Sequence, residues 1–366
     1  MREALAEQLL AAVMAWSPAD VAEERPRLEA MARYKYDEYQ QFSPGMRFVE
    51  SLALWLHQFK SLEERRTAYA FVMSNLIFCS SAEMNHLVGM AYQDYVRPYL
   101  LRRAAEHSPL RPTRFTALAQ TGAFRVRQRA CLFLGLSDGA RIDVFRRANP
   151  SLSHEQIFPT YEIPQGRVTS LLSKLESDLA RLELSSTARA PRFSTVVLLD
   201  DFSASGISYI RVEDDGSYGG KIGRFYTSLA DAGNPLSKLI DVTSADVFIL
   251  LYMATERARA YLESHLAAVE QQFRIRSSVV VVHPIDDDVA IRPGGRESIA
   301  GLLEAYYDRA LEDEHTEKGG TDMKYGFAAC GLPIVLSHNT PNNSLYLFWA
   351  QTAKVRALFP RVSRHR

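Results

Sequence analysis

Thr195 to Ser208 read TVVLLDDFSASGIS. Val196, Val197, Leu198 and Leu199 run unbroken into Asp200 and Asp201. The chain then turns small and hydroxylated, through Ser203, Ala204, Ser205, Gly206 and Ser208. A short apolar run bounded by turn residues has the pattern of a strand buried on both faces. Similar runs lie on either side: ACLFLGL (130–136), DVFILLYMA (246–254), SSVVVVHPI (277–285) and LPIVLSHN (332–339). Between them stand helical stretches at 166–184, 220–233, 256–273 and 296–314. Strands alternating with helices of this length predict an α/β domain with a parallel sheet covered on both faces. Ligands of such sheets bind beyond the carboxyl ends of the strands, where Asp200 and Asp201 stand.

The first hundred or so residues have a different texture. MRFVESLALWLHQF (46–59) sets Phe48, Leu52, Leu54, Trp55 and Phe59 near one face at three- and four-residue spacing, and 62–78 and 81–105 continue the pattern. Ser17 before Pro18 is a helix start. The prolines of HSPLRPTRF (107–115) mark a linker. Two domains are therefore expected: 1–110, all-α and suited to a protein partner or to regulation, and 111–366, α/β.

Composition excludes several classes. Lys+Arg and Asp+Glu are both 43, which argues against a globally basic nucleic-acid binder. One arginine block (Arg111, Arg114, Arg125, Arg127, Arg129, Arg141, Arg146, Arg147) spreads over linker, strand and helix, so nucleic acid is left without support. Cys79, Cys131 and Cys330 form no CxxC pair. No apolar run is long enough to span a bilayer, and the N-terminus reads as an amphipathic helix with no leader pattern. A cytoplasmic protein without membrane association is expected. Rossmann, P-loop and HExxH motifs are all missing from the sequence.

The chemistry concentrates in three segments. In 195–208, two carboxylates precede a loop whose small residues let backbone N–H groups approach an anion. Carboxylates accept from sugar hydroxyls or hold a hydrated divalent cation, and serines donate to phosphate oxygens. In 130–150, a strand runs into Ser137-Asp138-Gly139-Ala140 and an arginine-bearing helix. Gly139 permits a tight turn, and Arg141, Arg146 or Arg147 can balance a diphosphate; a solvated helix face is the alternative. In 323–350, Asn339, Asn342 and Asn343 precede Tyr346, Phe348 and Trp349. Amides and rings of this kind read a heterocycle, but Asn and Pro are equally the residues of turns. DDGSYGGKIGRF (214–225) reads either as a mobile lid carrying Lys221 or as a polar hairpin before a helix.

Asp200-Asp201-Phe202-Ser203-Ala204-Ser205-Gly206-Ile207-Ser208 resembles the 5-phosphoribosyl-1-diphosphate (PRPP) signature of type I phosphoribosyltransferases. Ala204 departs from it where a hydroxyl is common. With SDGARID (137–143), NPSLSHEQIFPTY (149–161), GGKIGRF (219–225) and HNTPNNSLYLFW (338–349), residues 120–350 look like the phosphoribosyltransferase-like branch found in bacterial conflict (antiphage defence) systems.

The resemblance implies a phosphoribosyltransferase-like domain in which Asp200 and Asp201 hold the ribose hydroxyls and Mg2+. Ser203, Ala204, Ser205, Gly206, Ile207 and Ser208 take the 5-phosphate. Asp138, Gly139, Arg141 and Lys221 meet the diphosphate, and Asn339, Asn342 and Asn343 meet the acceptor. Transfer of the phosphoribosyl group is the expected activity. A catalytically silent PRPP or nucleotide sensor that regulates a partner, and a hydrolase with a metal on both carboxylates, are the rivals.

Overall fold

The computed structural model describes residues 3–106, 108–182, 191–295 and 299–362. The strands in chain order are β1 (Ile77–Cys79), β2 (Cys131–Gly135), β3 (Ile157–Phe158), β4 (Thr195–Ser203), β5 (Arg211–Val212), β6 (Tyr218–Gly219), β7 (Asp246–Thr255), β8 (Arg276–Ile285) and β9 (Ile334–Leu336). The chain divides into two compact units, one of residues 1–83 with 287–366 and one of residues 84–286. This differs from the expected boundary at residue 110, because both chain ends contribute to the first unit.

In the first unit, the helices Glu3–Met14, Phe48–Leu56 and Leu62–Asn75 share a core with Tyr346, Leu347, Phe348, Leu358 and Phe359. Ser17 caps Pro18–Tyr34 through a capping box with Asp20. Trp55 is fully buried and its indole N–H donates to the Leu347 carbonyl at 2.8 Å. The Ser51 hydroxyl donates to the Leu358 carbonyl at 2.6 Å. The apolar stripe of 46–59 is thus covered by the chain's own C-terminal segment. LPIVLSHN also belongs here. Its β9 pairs in parallel with β1, with Val335 opposite Phe78, and takes no place in the main sheet. The helix expected over 62–78 stops at Asn75, and Ile77–Cys79 extend instead. Long-range pairing outweighs helical periodicity at the β-favouring Ile77 and Phe78.

The second unit holds a five-stranded, all-parallel sheet in the order β3-β2-β4-β7-β8. One face carries Leu132, Leu134, Val196, Leu198, Val247, Ile249 and Leu251 under the helices Gln165–Arg181, Gly220–Ala230 and Glu256–Phe273. The opposite face presents Phe133 to Tyr92 and Phe145, and Phe248 to Tyr99. Residues from 84 to 105 therefore cover the sheet and are no part of a separate helical domain. Burial on both faces explains why β2, β4 and β7 read as continuous apolar runs, while β8 at the sheet edge is only partly buried. The α/β expectation, helices first and a parallel sheet after, is met. The fifth strand is β3, two residues long, where no run of apolar residues marks it.

From β2 the chain crosses to one side, to β3, and then returns to β4 on the other side and continues outward through β7 to β8. The direction of winding reverses between β2 and β4. In sheets of this kind a reversal marks the place at the strands' carboxyl ends where ligands bind.

Candidate functional site

β2 stops at Gly135, opposite Leu199, and β4 runs on to Ser203. From Asp200 onward β4 is paired only with β7, with Asp200 opposite Leu251 and Ser203 opposite Ala254. The acids therefore lie inside the strand, where its neighbour has ended. Consecutive strand side chains point to opposite faces, so the two carboxylates enter different surroundings.

Asp200 faces the side of Val196 and Leu198 and is fully buried. Its Oδ1 accepts from the Ser137 hydroxyl. Its Oδ2 accepts from the Lys221 ammonium at 2.5 Å and the Tyr209 hydroxyl at 2.8 Å. Tyr209 shares its proton with the Phe202 carbonyl at 2.9 Å. The Lys221 ammonium also stands 4.7 Å from the centre of the Tyr209 ring, a cation–π distance. Burial raises the Asp200 carboxyl above the ordinary range, Lys221 opposes the rise and Asp201 adds to it. Burial and the two carboxylates push the Tyr209 phenol far above its usual value, so it stays a protonated donor.

Asp201 is half-buried on the other face, where its Oδ1 accepts from the Phe202 N–H at 2.8 Å. Gly139 lies against it so closely that a Cβ there would collide with the carboxylate. The β2 loop thus meets both acids, Asp200 through Ser137 and Asp201 through Gly139. Asp138 of the same turn is exposed. Arg141 adopts a left-handed conformation at φ 46° and donates to Asn85 Oδ1 at 3.2 Å. Arg146 donates to the Ile157 carbonyl, and Arg147 pairs with Asp143 at 2.7 Å. Tyr252 of β7 donates to the Ala140 carbonyl at 2.7 Å and buttresses the loop.

The loop after β4 is a compact turn. Ser203 Oγ accepts from the Gly206 N–H at 3.2 Å, and Ser205 Oγ from the Ile207 N–H at 3.4 Å. Each hydroxyl keeps its own proton to donate. Gly206 stands at φ +79°, and a Cβ there would come 2.5 Å from the Tyr261 ring, so conformation and close approach both require glycine. Ala204 is buried and its carbonyl accepts from the Thr255 hydroxyl at 2.7 Å. Ile207 is half-buried, and Ser208 is exposed at the lip.

Lys221 does not sit on a lid. Residues 211–219 form the β5–β6 hairpin, and Lys221 is the second residue of the helix Gly220–Ala230. Its N–H donates to the Ser208 carbonyl at 3.2 Å, and the Ile222 N–H to the Tyr209 carbonyl at 2.7 Å. A Cβ at Gly220 would reach 2.6 Å from the Tyr209 carbonyl, and one at Gly223 would reach 2.5 Å from the Tyr218 carbonyl. The glycines of GGKIG thus seat a helix against the signature segment, which explains the run better than mobility does.

Asn339, Asn342 and Asn343 belong to the first unit. Asn343 donates to the Phe327 carbonyl at 3.1 Å, and the Asn342 carbonyl accepts from the Phe327 N–H at 2.7 Å. Asn339 exchanges two long hydrogen bonds with Val362, of 3.5 and 3.3 Å. These contacts are those of turn residues.

The PRTase-CE family profile matches residues 52–361, well over half of the sequence. The chain belongs to the PRTase-CE family. No curated protein and no solved structure matches it significantly. Membership makes this a phosphoribosyltransferase-like protein. The matched span takes in the helices from Leu52 onward, so these belong to the PRTase-CE unit, although the sequence resemblance begins only near residue 120. No helix among the described residues is long and apolar enough to cross a membrane.

A divalent cation, which the resemblance puts on Asp200 and Asp201, does not fit this arrangement. Both Asp200 oxygens are taken by donors, one of them a cation, and Asp201 lies on the opposite face. Among the described residues no group of three or more His, Cys, Asp or Glu side chains could hold a metal.

Ser137, Tyr209 and Tyr252 escaped the sequence reading as site residues. Ser137 had a signal, as the first polar residue after a buried strand. Tyr209 follows the signature directly, but nothing in the sequence turns its hydroxyl back onto Asp200.

Proposed function

We propose that the crevice at the carboxyl ends of β2 and β4 binds PRPP or a related phosphorylated ribose, and that the protein serves a bacterial antiphage defence system. One observation carries the ligand reading. Two segments 63 residues apart, each with the character of a phosphate loop, converge on one acid pair at the reversal of the sheet. Asp201 accepts from the ribose hydroxyls. The turn from Ser203 to Ser208 takes the 5-phosphate, with the Ser203 and Ser205 hydroxyl protons as donors. The turn through Asp138 and Gly139, with Arg141 beyond it, meets the diphosphate. Asp200 holds these parts together from below. The defence role rests on the resemblance of the motifs.

A second reading, binding without turnover, is favoured by the Asp200 network. Asp200 is committed to Lys221, Tyr209 and Ser137, and the Tyr209 phenol is held protonated, so neither is a ready general base. In that case the protein senses PRPP and regulates a partner. Such a partner meets the polar faces of the first helices, because Phe48, Leu52, Trp55 and Leu56 are buried in their own unit. A hydrolase with one metal on both carboxylates is disfavoured by their opposite orientation.

Calorimetric titration of PRPP into the protein and its Asp201→Asn variant tests the ligand. Binding lost in the variant supports the reading, and no binding by the intact protein refutes it. Phosphorus NMR of the bound mixture then separates transferase from sensor. Pyrophosphate release with a nucleobase or nucleotide acceptor supports transfer, and unchanged PRPP supports sensing.

A further inference from the structure

We infer that Lys221 occupies the place at Asp200 expected for a divalent cation, so that the crevice takes its phosphorylated ribose without a metal ion held by the protein. The ligand rests on the function proposed above; the metal-free acid pair stands on its own observations. Asp200 is fully buried with three donors on its two oxygens, from Ser137, Tyr209 and Lys221. A Mg2+ ion demands near-octahedral oxygen ligands at about 2.0–2.1 Å and retains several waters. On Asp200 Oδ2 it would stand beside an ammonium already 2.5 Å from that oxygen, and like charges repel strongly where water is excluded. Asp201, on the other face of the strand, adds no second carboxylate there, so an ion at Asp200 would rest on this one carboxylate and water, and only once the ammonium is gone.

The ammonium is also braced. Its helix is tied to Ser208 and Tyr209 through the backbone, the glycines at 220 and 223 hold that helix close, and the Tyr209 ring lies under the charge. The Lys221 side chain keeps 24% exposure, so one face of the charge looks outward. An ammonium has three N–H donors. One goes to Asp200, and the others remain to meet phosphate or ribose oxygens. Lysine thereby joins a buried carboxylate to an anionic ligand, the bridging task otherwise given to a metal.

Mn2+ titration of the metal-free full-length protein, followed by electron paramagnetic resonance, tests this. The intact protein is expected to leave the free-ion signal unchanged. Lys221→Gln is expected to gain Mn2+ affinity by about tenfold or more, the scale on which neighbours of a metal site act. Asp200→Asn in that background should abolish the gain. Mn2+ bound by the intact protein and lost in Asp200→Asn alone would overturn the inference, and this comparison needs no lysine variant to fold. A folded Lys221→Gln that gains nothing would overturn it too. In parallel, ribose 5-phosphate should bind equally with Mg2+ or with chelator, and a tenfold gain with Mg2+ would count against the lysine. Failure of ribose 5-phosphate to bind under both conditions refutes the ligand alone, while the Mn2+ result still decides the role of Lys221.

Discussion

Lys221→Met keeps the length and much of the apolar contact of the side chain but removes the cation beside a fully buried carboxylate. Asp200 is left with the Ser137 and Tyr209 hydroxyls. Breaking a buried ion pair by removing one partner costs about 3–5 kcal/mol. Lys221 is partly exposed, so a loss of about 2–3 kcal/mol at pH 8 is expected. The pH dependence is sharper than the magnitude. Asp200 in the folded protein holds its proton to a higher pH than in the unfolded chain, because burial and Asp201 outweigh Lys221. Between those two values the folded state binds more protons, so this group's contribution to stability is present at low pH and is lost as pH rises. Removing Lys221 lifts the folded value further, and each unit adds about 1.4 kcal/mol to the loss at alkaline pH. The Lys221→Met penalty should therefore be largest at pH 8 and shrink towards the ordinary carboxylate range, where Asp200 is neutral in both states. Asp200→Asn in the same background should recover most of it. The three tryptophans, Trp16, Trp55 and Trp349, all lie in the first unit and do not report on this site. Cys131 does: it is the one cysteine of the second unit, buried in β2, and burial pushes its thiol far above the usual range. Pulsed alkylation along a urea series, read on the Cys131 peptide, gives the unfolding midpoint of this unit. A penalty under about 0.5 kcal/mol at pH 8, within the range of ordinary surface changes, or one that grows as pH falls, would refute the reasoning.

Gly206→Ala should destabilise the second unit by about 2–4 kcal/mol in the same assay, because alanine pays for the left-handed backbone and meets the Tyr261 ring; an unchanged midpoint would contradict the turn. Gly139→Val should displace the Asp201 carboxylate, lowering PRPP affinity about tenfold or more while the Cys131 midpoint moves by less than about 1 kcal/mol. Calorimetry beside the alkylation series checks both halves, and a wild-type affinity would remove Gly139 from the site. Tyr209→Phe removes a donor from Asp200 and from the Phe202 carbonyl and should cost about 1–3 kcal/mol, more at pH 8 than at pH 5. A flat pH response would mean that the phenol does not stabilise the carboxylate.

The turn after β4 was legible because its requirements are local. Small residues after a buried strand, with glycine at the one left-handed position, describe Ser203–Ser208 without reference to the rest of the chain. The β2 loop was legible for the same reason. The Asp200–Lys221 pair was not, because it joins residues 21 apart across a hairpin and a helix start, and GGKIG reads as lid or hairpin alike until the backbones of Tyr209 and Tyr218 are seen to fill the space at Gly220 and Gly223. The asparagines at 339, 342 and 343 have the composition of a reading edge and of a turn alike. Only their hydrogen bonds tell the two apart.

Sequence alone determined the α/β class, the two-faced burial of β2, β4 and β7, and the position of the acid pair near a strand end. Each follows from short-range pattern, since burial on both faces forces unbroken apolar runs and a tight turn forces glycine. Tertiary structure decided the rest. Strand pairing put β9 with β1 and took the C-terminal segment into the first unit. The alternation of side chains along β4, set against where β2 ends, divided Asp200 from Asp201. That division made one carboxylate a buried anchor for Lys221 and left the other half-buried beside Gly139, because burial and partners, not residue type, set what a carboxylate can do.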